Sequence, residues 1–340
     1  MVRYSNGPLI RPEDVRPFDD RLEVIGVFNP GVTVYKDQVL LLLRVAVRPK
    51  PKDGKICVLT QRNGSFNIRE MNSEDFDCSD ERVHIGKGEK FLSSMSYFVV
   101  AVSSDGVNFK IKEDCVLLPS EDLESFGIED PRIIPIGDYY YIVYSGVSEV
   151  GICGMLARTK DFKVYEKLGA ILHPDNKDAT LFPEKINGKY YMLHRPTSAE
   201  FSSVNIWIAE SNSLVAWGNH KCIMKTKPDG WDSARIGSSG VPLKTDKGWL
   251  VVYHGADKNN RYCLGAMLLD LNEPWKVIGR TSKPFLEPIT GCERNGFFSN
   301  VVFACGGISS DGKLKIYYGA SDKYVCGGEI EISEIMNMIE

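Results

Sequence analysis

The chain has no apolar run long enough to cross a bilayer, no C-x-x-C pair and no block of like charges. The first absence excludes a helical membrane span. The opening segment, MVRYSNGPLIRPEDVRPF, carries charges and prolines where a signal peptide needs a continuous apolar stretch, so a cytoplasmic location is expected. Nine cysteines, an odd number and widely spaced, read as reduced and mostly buried thiols rather than a disulfide framework. Lysine and arginine are scattered over a chain of net charge −4, which argues against nucleic acid or a membrane surface as a partner and leaves a small ligand. Histidine is scarce: the five (His84, His173, His194, His220 and His254) show no H-E-x-x-H or other short ligand spacing, so no metal site is expected. Helical periodicity is confined to EISEIMNMIE at the C-terminus and to SEDLESFG from Ser120.

What is present is a repeated strand. It is rich in aromatic and β-branched residues, follows a turn and ends in small or polar residues: DQVLLLLRVAVRP from Asp37, DYYYIVYSG from Asp138, GKYYMLHRP from Gly188, GWLVVYHGAD from Gly248 and KLKIYYGASD from Lys313. A second unit follows several of these, a strand leading into a turn with Asp or Asn and an aromatic: AVSSDGVNF, ARTKDFKVY and AESNSLVAW. The last three spacings of the first unit, 50, 60 and 65 residues, suit four-stranded propeller blades. We therefore predict an all-β fold, a five-bladed β-propeller forming one domain over residues 1–340. A β-sandwich or jelly roll is the alternative. The long gap between the first two copies predicts a polar, loop-rich excursion around Pro49 to Lys90.

In a radial fold, equivalent strand ends meet at one axis. Arg44, Ser145, His194 with Arg195, His254 and Asp322 are then expected to surround one funnel despite their separation in the chain. Taken singly, a histidine after an aromatic strand is more often structural and an arginine more often a solvated charge; the recurrence carries the expectation. Tyr144, Tyr253, Phe298 and Trp231 lie near the same ends and are candidates for stacking on the apolar face of a ligand, and GWDSARIGSSG from Gly230 is a Gly/Ser-rich segment suited to closing over phosphate. It is not a nucleotide-binding P-loop, because no Walker pattern is present.

Four segments, GIEDPR from Gly127, NKDATLFPEKINGKYYMLHRP from Asn176, ARIGSSGVPLKTDKGWLVVYHGAD from Ala234 and YYGASD from Tyr317, resemble glycoside hydrolase family 130, the β-mannoside phosphorylases and their relatives. The resemblance runs from about Asn29 to Asp322. It implies that Asp130 is the sole catalytic acid, protonating the leaving oxygen through the 3-hydroxyl of the cleaved mannose. Independently, an Asp before a proline is expected to sit in a fixed, extended turn; a plain turn-capping Asp is the bland alternative. The resemblance also implies Lys177, Arg195, Arg235 and His254 as the phosphate-binding set, and Asn29, Arg44 and Asp322 as the residues holding the transferred mannose. Amide, guanidinium and carboxylate groups suit vicinal hydroxyls.

An inverting hydrolase needs a second carboxylate to activate water, whereas a phosphorylase needs cations to seat an anionic nucleophile. Lys177 and Arg235 stand where the β-1,4-mannoside phosphorylases carry Arg and Lys respectively, which favours β-1,2-linked substrates. The reading is thus an inverting mannoside phosphorylase with no cofactor, whose partners are a short β-mannoside and inorganic phosphate. A mannoside hydrolase, with Glu184 or Glu129 as base, and a non-catalytic glycan-binding propeller are the alternatives. Oligomeric state stays open.

Overall fold

The computed structural model describes residues 1–198, 200–201 and 203–340. Almost every regular element is a strand, and the strands fall into five consecutive four-strand antiparallel units. The first holds Leu22–Tyr35, Gln38–Pro49, Met95–Ser103 and Lys110–Leu117; the second Gly127–Ile136, Tyr139–Ser148, Gly151–Thr159 and Tyr165–Leu172. The third holds Asn176–Leu181, Tyr190–Pro196, Ile206–Ser211 and Gly218–Met224; the fourth Arg235–Ser238, Trp249–Ala256, Tyr262–Leu269 and Val277–Arg280. In the fifth, Val302–Ser310, Lys313–Ala320 and Tyr324–Glu331 are completed by Val2–Arg3, so the two chain ends share one sheet. The first two units join through a single parallel bridge, Gly127 to Ser96, and none of the sheets closes on itself.

The five repeated strands of the sequence are the second strands of these units, and their composition follows from where they lie. Along Gln38–Pro49, Leu41, Leu43, Val45 and Val47 pack with Tyr317 and Val325 of the fifth unit, while Leu40 and Leu42 pack with Ile128, Ile133 and Ile142 of the second. Successive side chains point to opposite faces. Because both faces are buried, the strand is a continuous apolar run instead of an alternation. Three further cores repeat the arrangement: with this first pair they fill the interfaces one–two, two–three, three–four, four–five and five–one. The third-to-fourth strand turns repeat as well: Ser103 and Asp105, Thr159 and Asp161, and Asp270 all accept backbone N–H groups of their own turns.

Between its second and third strands the first unit carries an arm. The expected loop-rich excursion is instead two β-hairpins, Lys55–Arg62 with Ser65–Asn72 and Val83–Gly86 with Glu89–Leu92. Phe91 and Val58 of the arm bury themselves against Phe126 and Val147. That small core anchors the second hairpin beside the second unit. The C-terminal helix, Ile332–Asn337, forms as its periodicity predicts, whereas Asp122–Glu124 makes only a single 3-10 turn.

Candidate active site

The first strands of three units share a device that composition does not reveal. Asn29, Asp130 and Asp178 each have a left-handed φ, +45°, +53° and +53°, and each sits in a break of the strand register. Asn and Asp are among the few residues that tolerate this region. The bulge re-aims the side chain out of the sheet. Asp130 is therefore not in the extended conformation its proline predicts: the bulge overrides the preference, and Arg132 braces it by donating from Nη1 to the Asp130 carbonyl at 2.7 Å. Asp322, at +50°, is turned in the same way after the second strand of the fifth unit.

These side chains meet in one cavity of about 460 Å³, walled by residues from all five units. That volume suits a small ligand. The Asp130 carboxylate, 6% exposed, accepts from Asn29 Nδ2 at 2.9 Å and Arg44 Nη1 at 2.8 Å. Arg44 also donates from Nη2 to Glu129 at 2.7 Å, and its guanidinium lies 4.6 Å from the centre of the Phe28 ring. Burial alone would raise the Asp130 carboxyl; the charges of Arg44 and Arg132 and the hydrogen bonds from Asn29 and Arg44 outweigh it and hold the group below the usual carboxylate range. Asp322 behaves oppositely. Burial, with the negative charges of Asp130 and Glu129 opposing Arg44 and Lys177, pushes it up to about 6.

The same cavity is lined by cations. Lys177 reaches the wall half-buried and without an ion-pair partner among the described residues. Arg235 donates to Asn260 and rests 5.5 Å from the centre of the Tyr262 ring. Arg195 is held from behind by Asp178, whose Oδ2 lies 2.8 Å from Arg195 Nη1 and 3.2 Å from His254 Nε2, while its Oδ1 accepts from Arg132 Nη2 at 3.1 Å. Burial opposes the charge on Asp178, but Arg195, His254 and Arg132 keep it well below the usual range. His254 is fully buried and its pKa is lowered, first by that burial, so the ring is neutral at neutral pH. With Nδ1 3.1 Å from Ser239 Oγ and Nε2 facing Asp178, both ring nitrogens are engaged by protein groups. Gly237 is required here: a Cβ would approach Asp178 Oδ2 to 2.4 Å and the His254 ring to 2.6 Å.

The structure thus brings Asn29, Arg44, Asp130, Lys177, Arg195, Arg235 and Asp322 to one cavity, with His254 behind Arg195 and outside the cavity lining. Ser145 and His194 are not in that lining. His194 neighbours Arg195 on one strand and so faces the other way, where its Nε2 meets His220 Nδ1 at 2.9 Å. Of the aromatic candidates only Phe298 lines the cavity; Tyr144 and Tyr253 bond Glu124 and Asp232 in the core, and Trp231 stacks on Tyr253. The Gly/Ser-rich segment is also not a loop over the cavity, since Arg235–Ser238 is a strand whose Ser238 Oγ donates to the Asp178 carbonyl at 2.5 Å. No group of three or more His, Cys, Asp and Glu side chains among the described residues could hold a metal ion.

A family model for glycoside hydrolase family 130, described as β-1,4-mannooligosaccharide phosphorylase, matches residues 82–340. The chain belongs to that family. Among curated family 130 relatives, the β-1,2-mannobiose phosphorylase of Listeria innocua is 45% identical over 100% of this chain and 98% of its own length. The β-1,4-mannooligosaccharide phosphorylase of Ruminococcus albus is 30% identical over 99% and 90%. The solved structure of the Listeria innocua enzyme with β-1,2-mannobiose superposes with a TM-score of 0.95, covering 99% of this chain and 98% of that one at 43% identity. Within the family 130 motifs, the residues that motif reading passed over are Asp178, one position from Lys177, and Arg132, two positions from Asp130. The signal for Asp178 was available: Asn29-Pro30, Asp130-Pro131 and Asp178-Ala179 recur at the same place in three units.

Proposed function

We propose that this chain is an inverting β-mannoside phosphorylase that cleaves short β-1,2-linked mannosides with inorganic phosphate, releasing α-D-mannose 1-phosphate. The observation that carries the reading is that one cavity holds both a buried acid and a set of cations. A buried acid is held by Asn29 and Arg44, and Lys177, Arg195 and Arg235 line the same cavity. Mannose occupies the first group and phosphate the second, with the anomeric carbon between them. Asp178 and His254 hold Arg195 in place for the anion. The arrangement suits in-line displacement, in which the nucleophile needs cationic donors and the leaving oxygen needs a proton.

The hydrolase alternative lacks a base. Glu184 is exposed and paired with Lys244, and Glu129 is tied to the same Arg44 as the acid, on the acid's own side. The carboxylate among the cations, Asp178, is claimed by Arg132, Arg195 and His254. Linkage follows the relatives, since identity is 45% to the β-1,2 enzyme and 30% to the β-1,4 enzyme. With phosphate present, kcat/KM for β-1,2-mannobiose is expected to exceed that for β-1,4-mannobiose by about tenfold or more; equal rates, or a β-1,4 preference, would remove the assignment.

The leaving oxygen must receive a proton, and Asp130 is held ionised while Asp322 keeps one up to about pH 6. The two line one cavity and the charge of Asp130 acts on Asp322, and carboxyls that interact in this way titrate as a pair. The pair supplies the proton, so kcat/KM falls as pH rises through about 6, where the raised group gives its proton up. In Asp322→Asn the neighbouring negative charge is gone, Asp130 loses its proton more readily, and the fall moves to lower pH. A pH–rate profile unchanged in that variant would contradict the pairing.

The five cores at five interfaces, linking the last unit back to the first, support a five-bladed propeller as a single catalytic domain over residues 1–340. Nine free thiols support a reducing, cytoplasmic setting.

A further inference from the structure

Outside the cavity lining, the fold brings two thiols into contact. Cys292 Sγ lies 3.7 Å from Cys326 Sγ and 3.3 Å from Thr290 Oγ1. Cys292 belongs to the short helical turn Gly291–Arg294 and is half-buried, whereas Cys326, on Tyr324–Glu331 of the fifth unit, is 4% exposed. The neighbouring Glu293 pins the turn to that sheet. It is fully buried and accepts from Arg3 Nε and Tyr318 Oη at 2.7 Å each, and from the Ile289 and Thr290 N–H groups. Tyr318 is the register partner of Cys326, so the two sulfurs are held face to face by an anchor that neither supplies.

The two thiols are not equivalent. A hydrogen bond from Cys326 outweighs burial and, with the Thr290 hydroxyl, brings the Cys292 thiol down to about 6; the same contact, with burial, keeps the proton on Cys326. A half-buried thiolate backed by a buried thiol is the pairing of an attacking and a resolving cysteine. With hydrogen peroxide as oxidant, the Cys292 thiolate attacks one peroxide oxygen, the O–O bond breaks, hydroxide leaves and the sulfur is oxidised to a sulfenic acid. Cys292 then no longer carries the charge that held the proton on Cys326. Cys326 attacks the sulfenic sulfur, the S–O bond breaks, and the hydroxyl leaves with the Cys326 proton as water. One peroxide is reduced and one S–S bond forms.

We propose that Cys292 and Cys326 are a peroxide-reactive pair that closes to a reversible disulfide and thereby lowers turnover at the cavity. The sulfurs must approach from 3.7 Å to about 2 Å, and the exposed end of the turn yields more readily than the paired strand. That movement has a short route to the site. The Glu293 carbonyl accepts the Val301 N–H, the Val301 carbonyl accepts the Ser321 N–H, and Phe298, Val301 and Asp322 line the cavity. The disulfide is independent of the phosphorylase reading, and only its effect on turnover rests on it.

Treating the reduced full chain with hydrogen peroxide, blocking free thiols with N-ethylmaleimide and mapping the peptides by mass provides the test. A peptide joining Cys292 to Cys326 is expected, with kcat/KM for β-1,2-mannobiose about tenfold lower in the oxidised chain, and dithiothreitol should reverse both. Cys292→Ser keeps a hydroxyl beside Thr290 and should retain the basal activity while losing the cross-link and the sensitivity to peroxide. Cys326→Ala removes the resolving thiol, so Cys292 should form, more slowly, a sulfenic acid that dimedone traps; this variant decides the matter if the serine variant does not fold. Wild-type chain in which both thiols stay free, or in which Cys292 passes to the sulfinic acid without a cross-link, would overturn the pair. A cross-link that leaves turnover unchanged would overturn the coupling to the cavity. Absence of phosphate-dependent turnover in the reduced chain would overturn the phosphorylase reading and the coupling with it, while the mass map would still decide the disulfide.

Discussion

Asp130→Asn is expected to lower kcat for β-1,2-mannobiose phosphorolysis by about 10³-fold, inside the range of roughly 10² to 10⁴ that a positioned acid contributes. The substitution is close to isosteric. Its amide oxygen still accepts from Asn29 Nδ2 and Arg44 Nη1, and asparagine tolerates the left-handed φ of +53° as well as aspartate does. Folding and sugar binding are therefore retained, and what disappears is the carboxyl group from which a proton reaches the leaving oxygen. Calorimetric titration with mannobiose should give a Kd within a few-fold of the wild type, with KM similarly unmoved. A variant that keeps more than about a tenth of the wild-type kcat would show that the proton comes from elsewhere.

The second large effect falls on a residue that touches no reacting atom. Asp178 is 1% exposed and neutralises Arg132, itself 1% exposed, together with Arg195. Asp178→Asn leaves Arg195 without its carboxylate partner and Arg132 with Asp130 alone, in a buried setting, which costs about 3–5 kcal/mol. For a chain of this size that corresponds to a Tm lower by roughly 4–7 °C. Because the carboxylate is held well below its unfolded value near 3.9, its contribution is present above that pH and is lost only as pH falls toward the folded pKa. The difference in Tm between wild type and variant should thus stay constant from pH 8 to 5 and shrink below about 4. KM for phosphate should rise about tenfold as Arg195 loses its anchor, while KM for mannobiose moves little. A variant with unchanged Tm and unchanged phosphate KM would show that Arg195 and His254 do not depend on this carboxylate.

How much could be read without coordinates depended on burial. Strands such as Gln38–Pro49 and Trp249–Ala256 are covered on both faces, so they announce themselves as apolar, aromatic runs. The first strands of the third and fourth units do not. Asn176–Leu181 and Arg235–Ser238 are short, and the former is broken by a bulge, so polar residues interrupt the pattern that marks a strand. The arm was hidden for a related reason: in Ser65–Asn72 no residue is fully buried, and a hairpin that buries so little reads as loop. Arg195 and His194 show the limit of motif reading, since both stand in HRP and only strand parity decides that one faces the cavity and the other His220. Arg132 was overlooked because an arginine beside a catalytic motif looks like a surface charge until the fold buries it between two carboxylates.

The account turns on phosphate, not water, arriving from the face opposite Asp130. Incubating the purified chain with β-1,2-mannobiose and following the products by ¹H and ³¹P NMR tests this most directly. With phosphate present, α-D-mannose 1-phosphate should appear in step with free mannose, and without phosphate neither should accumulate. Mannose released at the same rate when phosphate is omitted, or a β-configured sugar phosphate, would contradict it.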